Sequence, residues 1–178
     1  MKYSVIREMD VSNGEGIGIS LFVQGCHFHC KGCFNPETWD FNGGKEWTND
    51  IETKFLQLAD KPYIKRISIL GGEPLADENV ETVFSLLNTI RTKFKTSKKI
   101  WLYTGYKWED INFFINYEIG KIRFNTVKLA DIIVDGQFDL KNQDLYNREI
   151  IFAGSTNQRV IDTQKSIMQN EIVLYKGI

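Results

Sequence analysis

The chain has 178 residues, 42% of them hydrophobic and 25% charged, with 22 basic against 23 acidic side chains. That length and mixture suit one globular domain over residues 1–178, large enough to fold without a disulfide or structural metal. A formal net charge of −1 supplies no field to gather nucleic acid or an anionic membrane, and no stretch is apolar for long enough to cross a bilayer.

Tyr3 to Asp10 reads as an opening strand, and Asn13-Gly14-Glu15-Gly16 as a turn. Ile17 to Val23 is a β-rich run that stops at Gly25. Thr48-Asn49-Asp50 is a helix start signal, after which Ile51, Phe55, Leu56 and Leu58 recur at helical spacing. Arg66 to Leu70 is a strand that ends in Gly71-Gly72-Glu73-Pro74, and Val80 to Ile90 carries the apolar spacing of a second helix. Lys99 to Tyr103 is a strand ending in Thr104-Gly105, and Trp108 to Ile115 is helical. Further strands are expected over Ala130 to Asp135, ending in Gly136, and over Glu149 to Ala153, ending in Gly154. Thr163 to Ile178 gives no firm pattern beyond an added strand over Ile172 to Tyr175.

Strands alternating with helices predict an α/β fold with a mostly parallel sheet. Strand after strand stops at glycine or a small polar residue, and in such folds ligands sit at those carboxyl ends, close to backbone. The chain is too short for an eight-unit barrel, so an open or partial barrel is expected.

Cys26-His27-Phe28-His29-Cys30-Lys31-Gly32-Cys33 holds all three cysteines and both histidines. An odd count in eight residues makes a poor disulfide framework, and Met1 to Asp10 has no apolar signal region. Both point to a cytoplasmic, reducing setting. Three thiolates on one loop can converge on a metal centre, either zinc or iron–sulfur. Structural zinc takes four ligands, for which His27 or His29 would have to complete a strained set. A cubane cluster with three cysteines keeps one iron open to a small molecule.

Cys-x3-Cys-x2-Cys resembles the signature of the radical S-adenosylmethionine superfamily, and Gly71-Gly72-Glu73-Pro74 resembles its Gly-Gly-Glu-Pro motif. A finer resemblance is to the activating proteins of anaerobic ribonucleoside-triphosphate reductase. It rests on Asn13-Gly14-x-Gly16, on Ser20-Leu21-Phe22-Val23-x-Gly25-Cys26 and on Gly32-Cys33-Phe34-Asn35. Trp101-x-Tyr103-Thr104-Gly105-Tyr106, Val134-Asp135-Gly136-x-Phe138 and Gly154-Ser155-Thr156-Asn157-Gln158 extend it. It spans roughly Tyr3 to Asp162, with 163–178 as an extension of open role; phenylalanine at 34 and threonine at 156 depart mildly from the family pattern.

The resemblance implies a partial (β/α)6-type radical S-adenosylmethionine barrel and a [4Fe–4S] cluster on Cys26, Cys30 and Cys33. It implies S-adenosylmethionine held by Gly32, Cys33, Phe34, Gly71, Gly72, Glu73, Pro74, Thr104 and Asp135, with no catalytic side chain beyond the two cofactors. For Asp135 a turn-capping role is an alternative. The product would be a glycyl radical on the large subunit of the reductase. A low-potential donor such as flavodoxin and a homodimeric assembly belong to the same expectation. His27 and His29 are expected to face solvent. Alternatives are activation of another glycyl-radical enzyme, a deazaguanine-type radical synthase, and a zinc-stabilised binding module. Nothing supports hydrolytic or phosphoryl-transfer chemistry: histidine is absent outside the cysteine loop, and so is a phosphate-binding Gly-x4-Gly-Lys sequence.

Overall fold

The computed structural model describes residues 1–113, 116–143 and 152–177. Its strands are β1 (Lys2–Asp10), β2 (Gly18–Val23), β3 (Lys45–Glu46), β4 (Arg66–Gly71), β5 (Lys99–Tyr103), β6 (Ile132–Asp135) and β7 (Arg159–Asp162). They form one sheet in the order β3-β1-β2-β4-β5-β6-β7. The four central strands, β2, β4, β5 and β6, run parallel, as the alternation of strands and helices predicts. The flanking strands β1, β3 and β7 pair antiparallel.

Side chains alternate across the pleat, so each central strand divides its residues between two faces. One face presents Ile19, Leu21, Val23, Ile67, Ile69, Ile100, Leu102 and Ile133 to the main core. The helices α1 (Asn49–Ala59), α2 (Asp77–Phe94), α3 (Trp108–Phe113) and α4 (Glu118–Lys128) pack there. Val80, Val83, Leu86, Leu87 and Ile90 of α2 are fully buried against it; each contributes about 1.5–3 kcal/mol relative to exposure. On the opposite face Trp101, Ile132, Val134 and Val160 make a second cluster with Phe152 and Tyr175.

That second face also buries a charge. The Arg66 guanidinium is wholly buried and donates to the carbonyls of Asp10 (2.6 Å), Glu15 (3.3 Å) and Asn13, and to the Ser68 hydroxyl. Asp10 faces it at 3.5 Å and accepts from the Ser12 and Asn13 backbone N–H groups at 2.7 and 3.0 Å. Gly14, at φ +124°, leaves room for this arginine: a Cβ there would stand 2.5 Å from Arg66 Cδ. The glycine-rich turn is thereby the lid over a buried ion pair.

Several elements depart from expectation. α4 escapes the apolar pattern because its buried positions include Gly120 and Thr126, which carry no hydrophobic signal. β7 and α5 (Thr163–Gln169) were unmarked, although Asp162 caps α5 by accepting from the Lys165 N–H at 3.0 Å. Ile172 to Tyr175 makes a single bridge, Ile161 to Leu174, in place of a strand. The segment after Asp162 is nevertheless tied in: the Tyr175 hydroxyl donates to Glu15 at 2.5 Å, and its ring meets Trp101 edge-on at 5.5 Å. Of the expected strand over Glu149 to Ala153, residues 149–151 lie outside the described residues, as do 114 and 115 of the helix expected from Trp108. Among the described residues no helix is long and apolar enough to cross a membrane.

Candidate functional site

A cleft of about 500 Å³ opens at the carboxyl ends of β2, β4, β5 and β6, and its lining includes Cys26, Cys30, Cys33, Gly71, Gly72, Glu73, Thr104 and Gly136. Its volume lies in the range of small-molecule pockets, and its place is where parallel α/β sheets put ligands.

The cysteine loop leaves β2 under tight control. The Gly25 N–H donates to Thr38 O at 2.8 Å and the Cys26 N–H to Trp39 O at 3.0 Å. A turn closed by the Cys33 N–H on Cys30 O (3.0 Å) follows, and the Asn35 N–H donates to Cys33 Sγ at 3.4 Å. All three thiols are free and half-buried. Burial pushes the Cys26 thiol up to about 11 and raises that of Cys30. Three thiolates in this setting need a cation to offset their desolvation, so the donor set suits a metal group. The three line one cleft, yet no group of three His, Cys, Asp or Glu side chains among the described residues is drawn together around a single-ion position.

Neither histidine lines the cleft. His27 is exposed, 2.9 Å from a Glu78 carboxylate oxygen, and lies against the Phe41 ring; His29 stacks on Trp39 at 4.7 Å. Phe28, between the first two cysteines, does line the cleft and meets Tyr106 edge-on at 5.0 Å.

Below the loop, the end of β4 passes directly against the end of β2. The Gly72 N–H donates to Val23 O (2.8 Å) and the Glu73 N–H to Gly25 O (2.7 Å). A Cβ at position 72 would lie 2.4 Å from Gly25 O, so only glycine lets the two strand ends come this close. Glu73 is buried, and its carboxylate accepts from the Thr104 hydroxyl (2.7 Å), the Gly105 N–H (2.7 Å) and the Leu75 N–H (2.8 Å). Burial nonetheless pushes its carboxyl up to about 7. Glu73 is thus a brace between the ends of β4 and β5 as well as part of the cleft wall. Pro74 is buried behind it and does not line the cleft.

Thr104 lines the cleft beside Glu73. Asp135 does not: its carboxylate accepts from the Trp108 N–H at 2.8 Å, capping α3, and pairs with Arg159. Gly32, at φ +77°, packs against Leu140 outside the lining, while Phe34 lies in the lining with its ring 4.9 Å from Phe138. Arg7, Phe22 and Tyr103 line the cleft without having been singled out as site residues. Pleat alternation could have found them, since Phe22 and Tyr103 share the inward face with Ser20 and Trp101, and Arg7 pairs across from Ser20. The Tyr103 hydroxyl is buried and has no partner among the described residues, a polar atom left for a ligand or water.

Residues 12–161 match the family described as 4Fe-4S single cluster domain. The chain is 36% identical over 162 residues to the anaerobic ribonucleoside-triphosphate reductase-activating protein of Escherichia coli, covering 90% of this chain and 97% of that one. It is 31% identical over 171 residues to the protein of that name from Enterobacteria phage T4, covering 96% and 100% of the two chains. The Haemophilus influenzae protein of the same name is 32% identical over 160 residues, covering 89% and 96%. With its thiols gathered on one cleft, the chain belongs to the 4Fe-4S single cluster domain family and, within it, to the anaerobic ribonucleoside-triphosphate reductase-activating proteins.

Proposed function

We propose that this chain activates an anaerobic ribonucleoside-triphosphate reductase by generating a glycyl radical on its large subunit. The reading assigns Cys26, Cys30 and Cys33 to one [4Fe–4S] cluster and the adjoining cleft to S-adenosylmethionine. One observation carries it: three free thiols share a single cleft with the glycine-rich end of β4. When bound, the pair would supply one-electron reductive cleavage of a sulfonium C–S bond, releasing methionine and providing the hydrogen-atom abstraction from a backbone glycine of the partner.

The chain's own residues bind and orient. Cys26, Cys30 and Cys33 would hold the cluster, and with only three protein ligands it would stay open to a small molecule in the cleft. Gly71 and Gly72 bring backbone close to that molecule, and Glu73 holds Thr104 and Gly105 in place beside it. Phe28 and Phe34 put apolar rings on the cleft wall, Phe28 braced on Tyr106 and Phe34 on Phe138. Gly32 shapes the approach to the third cysteine, Pro74 sets the exit from β4, and Asp135 supports the wall from outside the cleft. The sheet, with helices on one face and the cleft at its strand ends, supports a partial (β/α)6-type barrel. An electron donor such as flavodoxin, a cytoplasmic setting and a homodimer complete the proposal.

Electron paramagnetic resonance of anaerobic, dithionite-reduced protein tests the cofactor assignment. The expected result is a [4Fe–4S]⁺ signal that changes when S-adenosylmethionine is added. A signal indifferent to the addition would contradict an open iron.

A further inference from the structure

Two motifs meet beside the cleft: Val134-Asp135-Gly136-Gln137-Phe138 after β6, and Gly154-Ser155-Thr156-Asn157-Gln158-Arg159 leading into β7. In the structure they are one device. Arg159 is the cross-strand partner of Asp135 and pairs with its carboxylate, Nε to Oδ1 at 2.9 Å. Gln158 donates from Nε2 to Gly136 O at 2.8 Å, and Asn157 donates from Nδ2 to Gln137 O at 2.8 Å. Three consecutive side chains therefore grip three consecutive residues in antiparallel order.

Gln158 does more. Its Oε1 accepts from the Gly154 N–H (2.8 Å) and the Ser155 N–H (3.2 Å), so one amide satisfies three backbone groups from two segments. Arg159 is anchored in turn by a two-pronged contact with Glu109 of α3, both N–O distances being 2.7 Å. What the grip holds in place is a wall. Gly136, Gln137, Phe138, Gly154 and Gln158 all line the cleft. The Phe138 ring rests on Phe34, the residue after Cys33, and a Cβ at Gly154 would lie 3.0 Å from both rings.

The geometry points to Asn157-Gln158-Arg159 as a clamp on Asp135-Gly136-Gln137, with Gln158 the positioning residue that sets the cleft wall facing the third cysteine. Polar networks of this kind, fully satisfied, fix a single arrangement. The clamp orients the wall against which S-adenosylmethionine is held, and so it rests on the cofactor assignment proposed above. It acts through Phe138, Phe34 and the backbone of Gly136, and takes no part in bond breaking.

The test uses cluster-loaded full-length protein carrying Gln158→Met, which keeps length and loses all three hydrogen bonds. The Gly154 and Ser155 amides should exchange with deuterium about tenfold faster or more, having lost their acceptor. The dissociation constant for S-adenosylmethionine should rise about tenfold, by equilibrium binding, with iron content unchanged. Gln158→Glu, which keeps the acceptor for Gly154 and Ser155 but loses the donor to Gly136, should bind with intermediate affinity. Faster exchange with wild-type affinity would overturn the clamp, since the contacts would then be merely structural. Loss of iron in Gln158→Met would overturn it too, placing Gln158 in the stability of the cysteine loop. A wild-type protein that binds no S-adenosylmethionine sinks the cofactor assignment itself, whereas equal binding by wild type and Gln158→Met sinks the clamp alone.

Discussion

Replacing Cys30 with alanine should abolish reductase activation, a fall of about three orders of magnitude or more, because a cluster that loses one of only three protein ligands is not retained. Among the described residues no histidine or carboxylate stands ready as a substitute ligand. His27 is engaged with Glu78 and Phe41, His29 lies flat on Trp39, and neither lines the cleft. The buried carboxylate nearest in function, Glu73, already accepts three hydrogen bonds from β4 and β5 ends. Iron and sulfide analysis after anaerobic reconstitution, with the activation assay alongside, reads the effect. A Cys30→Ala protein with full iron content and a tenth or more of wild-type activation would contradict the three-cysteine assignment. Loss of the thiol should leave folding intact, since the main core lies on the other face of the sheet.

Arg66→Met should have the opposite profile, a large loss of stability from a residue outside the cleft lining. Removing one member of a buried ion pair leaves the other charge uncompensated, which costs about 3–5 kcal/mol. Asp10 would keep its bonds from Ser12 and Asn13 but lose the guanidinium, and the carbonyls of Asp10, Asn13 and Glu15 would lose a shared donor. Against a total stability of about 5–15 kcal/mol, that loss would leave the turn at Asn13 to Gly16 open and the fold marginal. Urea unfolding of the cluster-free protein measures it. A change under about 1 kcal/mol would mean that methionine packs in the space as well as the ion pair does, an outcome seen when buried pairs are replaced whole.

The sequence displayed the parts of this protein whose signals are local. Strands β2, β4, β5 and β6 announce themselves by runs of β-branched and other large apolar residues stopped at Gly25, Gly71, Thr104 and Gly136, and the last three of those stops line the cleft. The cysteine spacing carries its chemistry in eight residues. Illegible were features that depend on partners distant in sequence. Asp135, expected on the cofactor or in a turn-capping role, caps α3 at the Trp108 N–H and is turned to Arg159, 24 residues on. No spacing rule reports that a carboxylate at a strand end will be taken by an arginine in the next strand. Glu73, expected among the residues that hold the cofactor, also meets donors contributed by a neighbouring strand end, which only the fold supplies. α4 was faint because two of its three buried positions are Gly120 and Thr126, leaving Val127 as its buried apolar residue, and α5 because its buried residues are Thr163 and Ser166.

Activation by this chain means placing a radical on a partner polypeptide. Its most direct test is electron paramagnetic resonance of the cognate reductase large subunit after anaerobic incubation with cluster-loaded chain, S-adenosylmethionine and a low-potential reductant. The expected result is a glycyl radical signal on the reductase that requires all three additions and is lost with Cys30→Ala. A reductase that stays radical-free beside a chain fully loaded with cluster would contradict it.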